Sequence, residues 1–174
     1  DGVLNLLPPG FILVERYIDG VVRKGLMVNV DLEEYENEPY KNPVVRPSEE
    51  VITERIPPRI EIRNGADIEM PHIMLLMDDK NKTVIEPVWQ KKEFFPKVYD
   101  FELMMNGGRI TGYFINNKET EHEIMQALAA LPLKDGMRFC VGDGNHSLAT
   151  AKAVWEQAKE RLTPEQRAES PLRY

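Results

Sequence analysis

The chain is poor in the residues that staple or span. Cys140 is its only cysteine in 174 residues, so no internal disulfide can form, and a reducing, cytoplasmic setting is the expectation. No apolar run comes near the roughly 20 residues of a membrane helix, and no secretory leader pattern is present. The chain starts at Asp1 without Met and ends abruptly at Pro171-Leu172-Arg173-Tyr174, the pattern expected of a piece of a longer protein. Positive charge is also scarce. Lys+Arg is 22 against Asp+Glu 29, a net charge of −7. Such a chain repels a phosphate backbone, so nucleic acid is not an expected partner, although a local basic patch can still bind a small anion. His72, His122 and His146 are the only histidines, and none has a neighbour at metal-site spacing, so no structural zinc is expected.

What remains is ordinary for a globular protein: 42% hydrophobic and 29% charged residues. The length suits one domain over residues 1–174. Three hairpins are expected. Phe11–Ile18 and Val21–Val30 flank Asp19-Gly20, a two-residue turn signal. His72–Met77 and Thr83–Val88 flank the polar run 78–82. Val98–Met104 and Arg109–Ile115 flank Asn106-Gly107-Gly108. Three hairpins in succession imply an antiparallel sheet. Between them, 31–38 is an acidic solvated segment. In 46–63 Ser48 is read as the cap of a short helix that Pro57-Pro58 ends; its four arginines make either a solvated helical surface or an anion-binding face. Asn116/Asn117 offers a cap and Thr120-x-x-Glu123 a capping box for a helix carrying Ile124, Leu128 and Leu131, which Pro132 ends. Asp135-Gly136 turns into a strand over 138–141. Leu148, Ala151, Trp155, Ala158 and Leu162 form one helical face. Thr163-Pro164 starts a last short helix.

The chemistry concentrates between the 138–141 strand and the helix after it, at Gly142-Asp143-Gly144-Asn145-His146-Ser147. A helix N-terminus carries unpaired N–H groups and partial positive charge, and glycines let a ligand approach them. Such a unit can cradle a phosphate or carboxylate. Asp143 can hold Mg²⁺ or accept a hydroxyl proton. His146 can donate to a phosphate oxygen or act as an acid or base. Asn145 and Ser147 can donate to phosphate, or merely cap the helix. The same residues also suit any sharp turn. No Lys follows the second glycine, so this is not a Gly-Lys-Ser/Thr phosphate loop, and no third glycine completes a dinucleotide fingerprint. Cys140 sits in an apolar strand and reads as a buried thiol rather than a nucleophile.

The stretch VGDGNHSLATAKAVWE, with RPSEEVITERIPPRIEIRNGADIEMPHIMLLMDD at 46–79, resembles the bacterial and archaeal domain-of-unknown-function family numbered 1015, over essentially the whole chain. The usual loop of that family is Asp-Gly-His-His-Arg at a helix start, which is similar to a loop of the ParB/sulfiredoxin-like superfamily, including free-serine kinases, where it binds nucleotide phosphates. Asp143, Gly144 and His146 match this pattern. Asn145 replaces the first His, and Ser147 replaces the Arg. That exchange removes a bidentate cation, a loss on the order of 1.5–3 kcal/mol. Arg138, Lys152 and the arginines of 46–63 are the candidate substitutes. A sulfiredoxin-type cysteine would stand where Asn145 is, so sulfinic-acid reduction is not expected. The family's Arg-x-Thr-Glu-Gly-Thr-x-x-x-Arg pattern keeps Arg46, Glu49 and Arg55, with Glu50 and Val51 in place of Gly and Thr. The resemblance implies Glu49 as a base and Arg46 as a phosphate clamp.

Together these features predict an α+β fold: a mixed, mostly antiparallel sheet built from hairpins, flanking helices, and a ParB/sulfiredoxin-like strand–loop–helix unit at 138–160. The expected function is binding of a phosphate-containing small molecule or nucleotide at the loop, with Mg²⁺ and a nucleotide as cofactors. Asp143, His146 and Glu49 would be catalytic, and Gly142, Gly144, Asn145, Ser147, Arg46 and Lys152 ligand-binding. Small-molecule phosphotransfer is the activity to which this binding expectation extends. The alternative is a non-catalytic binding or regulatory domain that kept the fold and lost the chemistry. No metal centre and no membrane partner are expected.

Overall fold

Asp19 and Gly20 both take positive φ, 52° and 78°, as a two-residue turn between right-twisted strands requires. They join β1 (Phe11–Ile18) to β2 (Val21–Met27) in an antiparallel pair with Ile18 opposite Val21. These strands belong to a computed structural model that describes residues 4–38, 41–66, 68–70 and 73–174. The chain divides into two compact units, residues 1–28 with 79–131 and residues 29–78 with 132–174.

The first unit holds an antiparallel four-stranded sheet in the order β2-β1-β6-β5, where β5 is Lys97–Glu102 and β6 is Arg109–Ile115. The expected β5–β6 hairpin forms, but its turn is wider than an Asn-Gly pair. Met105, Asn106 and Gly108 carry the positive φ values, and Leu103 N–H donates to Gly108 O at 2.6 Å. Asn117 caps helix α3 (Lys118–Ala130) by accepting the Thr120 N–H at 2.9 Å. Thr120 therefore lies inside the first turn rather than opening a capping box. Leu13, Tyr113, Ile115 and Ile124 join Val88 in the core of this unit.

The expected middle hairpin does not form. Its first arm is the strand β4 (Met74–Met77), while its second becomes helix α2 (Ile85–Gln90). Asp79 explains the switch. Its carboxylate accepts from the Thr83 N–H and hydroxyl and from the Val84 N–H, all at 2.9 Å, and so starts a helix despite the β-branched run. Pro87 falls in the first turn, where no N–H partner is lost. His72 lies outside the described residues.

In the second unit β4 pairs instead with β7 (Phe139–Asp143), antiparallel, and β7 pairs in parallel with β3 (Val45–Pro47). The sheet order is β3-β7-β4. Parallel pairing places Pro47 beside Val141. Asp135 and Gly136 make the predicted tight turn before β7, with φ of 52° and 80°. Pro57 and Pro58 do not end a helix. They lie in the first turn of α1 (Ile56–Arg63), where their missing N–H groups would be unpaired anyway. Helix α4 (Asn145–Lys159) buries Leu148, Ala151 and Trp155 against Tyr35, Val45, Val51 and Val141. The acidic 31–38 segment is a loop whose Tyr35 bridges to Val45. Thr163 caps α5 (Pro164–Glu169) in a reciprocal box with Gln166. The chain is thus α+β, mostly antiparallel, with flanking helices. It has two sheets rather than one. Among the described residues no helix is long and apolar enough to cross a membrane.

Candidate functional site

Strand β7 runs into α4 through one residue. Gly144 adopts φ +89°, in the left-handed region, and stands at the N-cap of α4 with no side chain capping the helix. A Cβ here would come within 3.0 Å of Ile73 Cγ1 and 3.1 Å of its Cα. Glycine is therefore favoured by conformation, and a Cβ would also press on Ile73. Gly142 has a similar limit, because a Cβ would approach the Leu76 side chain at 3.0 Å. Asp143 and Ser147 are exposed on either side of this bend. One oxygen of the exposed Asp143 carboxylate accepts the Gly144 N–H at 2.7 Å, which tightens the bend.

The next two side chains face away from that opening and hold another segment. Asn145 is only 4% exposed. Its Oδ1 accepts the Ser48 N–H at 3.1 Å and its Nδ2 donates to Ser48 Oγ at 3.2 Å. Ser48 is thus the partner of Asn145 rather than a helix cap. His146 Nε2 accepts the Ile52 N–H at 3.2 Å, so its proton is on Nδ1. The carbonyl of His146 accepts from Thr150 Oγ1 at 2.7 Å. Glu49 and Glu50 are exposed between these anchors, and Val51 is buried in the core. Residues 48–52 therefore form a strap fixed at Ser48, Val51 and Ile52 beside the start of α4. Glu49 is carried by that strap, close in sequence to both anchors.

Two of the candidate cations, Arg46 and Lys152, go elsewhere. Arg46 is paired in register with Cys140. Its Nε donates to Pro43 O at 3.1 Å and its Nη2 donates to the carbonyl of Asp135. That turn precedes β7, roughly 15 Å of strand away from the loop. Lys152 lies two helical turns beyond Asn145, about 10 Å along the axis. It is 9% exposed, donates to Leu32 O at 2.8 Å and pairs with Glu156 at 2.9 Å. It lines a cleft of about 750 Å³ together with Glu33, Tyr35, Lys41 and Lys159. Charges in that cleft answer one another. Lys159 meets Glu156 at 2.6 Å and Glu33 at 3.2 Å. Burial pushes the Glu33 and Glu156 carboxyls up, but Trp155, Lys152 and Lys159 outweigh it, and both end below the ordinary glutamate value. Burial also raises the Tyr35 hydroxyl.

The loop thus brings together Gly142, Asp143, Gly144 and Ser147, with Asn145 and His146 latched to the strap that carries Glu49. It does not gather Arg46 or Lys152. The residues missed by sequence reasoning as partners of the loop are Ser48 and Ile52. They are 97 and 94 positions from their partners, and no local spacing signals such a contact. The Lys152, Glu156 and Lys159 group was readable in principle from helical i, i+4 and i, i+3 spacing. Among the described residues no group of three or more His, Cys, Asp or Glu side chains could hold a metal.

No curated protein and no solved structure matches the chain. A family model matches residues 1–174 in full, and its description is a protein of unknown function, DUF1015. With the whole length matched, the chain belongs to the DUF1015 family.

Proposed function

We propose that residues 142–147 form a backbone cradle for the phosphate of a small molecule or nucleotide, and that the chain binds this group without transferring it. The observation that carries the reading is the start of α4. A 15-residue helix begins on a left-handed glycine with no side-chain cap, and its first N–H groups and dipole favour an anion there. Exposed Ser147 adds a hydroxyl donor. Arg46 and Lys152 are committed to carbonyls and to Glu156, so the cradle relies on backbone and dipole. That is an arrangement for binding, and a weak one for stabilising the charge of a phosphoryl transition state. The exposed Asp143 carboxylate is a single ligand for a nucleotide-borne Mg²⁺, a fit for a shared ion rather than a resident one.

A second reading has one observation in its favour. Glu49 stands on the strap between the two residues anchored to the helix start, where a base would be needed. In that reading the chain is a small-molecule phosphotransferase whose β7–loop–α4 unit is related to the ParB/sulfiredoxin-like superfamily and its free-serine kinases.

Titration of the purified chain with ADP, ATP and CTP in the presence of Mg²⁺ separates the outcomes. Saturable binding without ADP formation from ATP is expected. Absence of saturable binding at millimolar ligand overturns the cradle, and ATP turnover lost in Glu49→Gln favours the second reading. Ser147→Arg is expected to tighten binding about tenfold or more, since it adds a charge-assisted contact.

A further inference from the structure

The strap over residues 48–52 has two anchors of different chemistry on α4. Asn145 is an amide and offers the same acceptor and donor to Ser48 at any pH. His146 is an imidazole, and it holds the Ile52 N–H only through an unprotonated Nε2. We propose that His146 is a pH-sensitive catch on this strap: a positioning residue that fixes the Ile52 end when neutral and releases it when protonated. Adding a proton to Nε2 turns the acceptor into a second donor aimed at a donor. The hydrogen bond to Ile52 is then lost.

Charged groups lie on each of the elements around His146. Glu49 and Glu50 lie on the strap itself, and Glu54 and Arg55 lie on the 3-10 turn Thr53–Arg55 that Ile52 caps. Asp143 is on the loop. Helix α1, which packs on α4, adds Arg59, Glu61 and Arg63. Five carboxylates thus stand against three guanidiniums on these elements, and Arg63 is taken by Glu69 at 2.5 Å. What opens is limited. Val51 stays in the core and Ser48 stays on Asn145, so only the Ile52 end and the start of the 3-10 turn loosen. The inference deepens the cradle reading, because this strap is the one that carries Glu49 beside the loop, and it gives that site a control by pH.

The test uses no ligand, so it fails or succeeds independently of the cradle. Amide hydrogen exchange of the 174-residue chain is followed by NMR at pH 8 and pH 5 and corrected for intrinsic exchange. Protection at the Ile52 amide should fall about fivefold at pH 5, the loss of one net hydrogen bond. The Ser48 amide should keep its protection and serves as the internal reference. In His146→Ala, Ile52 should be equally unprotected at both pH values. Unchanged Ile52 protection in the unaltered chain overturns the proposal. So does an equal loss at Ser48 and Ile52, or a pH response that survives in His146→Ala.

Discussion

Gly144 shows how much one missing Cβ decides. The residue needs φ +89°, and the space where a Cβ would go is taken by Ile73. Gly20 has φ +78° but nothing within 4 Å of its would-be Cβ. Replacing each by alanine therefore separates conformation from crowding. Gly20→Ala should cost about 1 kcal/mol, the left-handed penalty alone. Gly144→Ala should cost at least about 2 kcal/mol, because Ile73 must also move. Urea denaturation of both variants checks this, and equal losses would show that Ile73 yields freely. At this scale the sequence was partly legible. The turn chemistry of Gly142-Asp143-Gly144 was readable, because a strand that must become a helix within one residue has few options. The roles of Asn145 and Arg46 were not. Asn145 suits a cap as well as a buried partner of Ser48, and only a contact across 97 positions decides between them. Arg46 suits a phosphate clamp by sequence, but its guanidinium is held by the carbonyls of Pro43 and Asp135.

Proline is ambiguous at the scale of an element. Its ring breaks a helix from inside but suits a helix from its first turn. In RPSEEVITERIPPRIEIR the acidic, serine-led first half looked like the helix and Pro57-Pro58 like its end. The first half is instead strand, strap and 3-10 turn, held by β7, Asn145 and His146 rather than by its own capping chemistry. With the prolines at the start of α1 a contrast follows. If they ended a helix, Pro57→Ala would lengthen it and raise the far-UV helical signal. Because they begin one, the expected signal is unchanged and the stability loss is below about 1 kcal/mol, mostly from the freer unfolded chain. Ile62→Pro, inside the same helix, should cost about 3 kcal/mol or more. Circular dichroism with urea unfolding reads both quantities. The lost middle hairpin has the same lesson. Thr83-Val84-Ile85 has strand propensity, yet the three bonds to the Asp79 carboxylate override it within a few residues.

For the whole molecule, hairpin reasoning reached the first sheet and stopped at the second. β1 with β2 and β5 with β6 are neighbours in sequence, whereas β7 finds β3 and β4 from far upstream. Parallel pairing such as β3 with β7 leaves no turn signal to read. The two units are each built from separated stretches, so no linker composition marks them. What the fold does leave is a set of carboxylates whose ionised form it prefers. Arg173 grips Asp31 with two bonds, at 2.9 and 2.6 Å, and lowers its carboxyl. Burial raises Glu15, but Lys92, Trp89 and Tyr113 outweigh it and the net is lower. Arg109 and Lys97 hold Asp100 well below the usual range. A depressed carboxylate adds stability above its unfolded pKa, about 4, and loses it as pH falls through the folded value. Resistance to urea should therefore hold from pH 7 to about 5 and fall steeply below about 4. Asp31→Asn isolates one share of that fall. It should lose about 1 kcal/mol at pH 7, as suits a partly exposed pair, and converge with the unaltered chain as pH falls through the lowered folded value of Asp31. Parallel curves at every pH would mean that the Asp31–Arg173 closure acts through shape alone and its charge adds nothing.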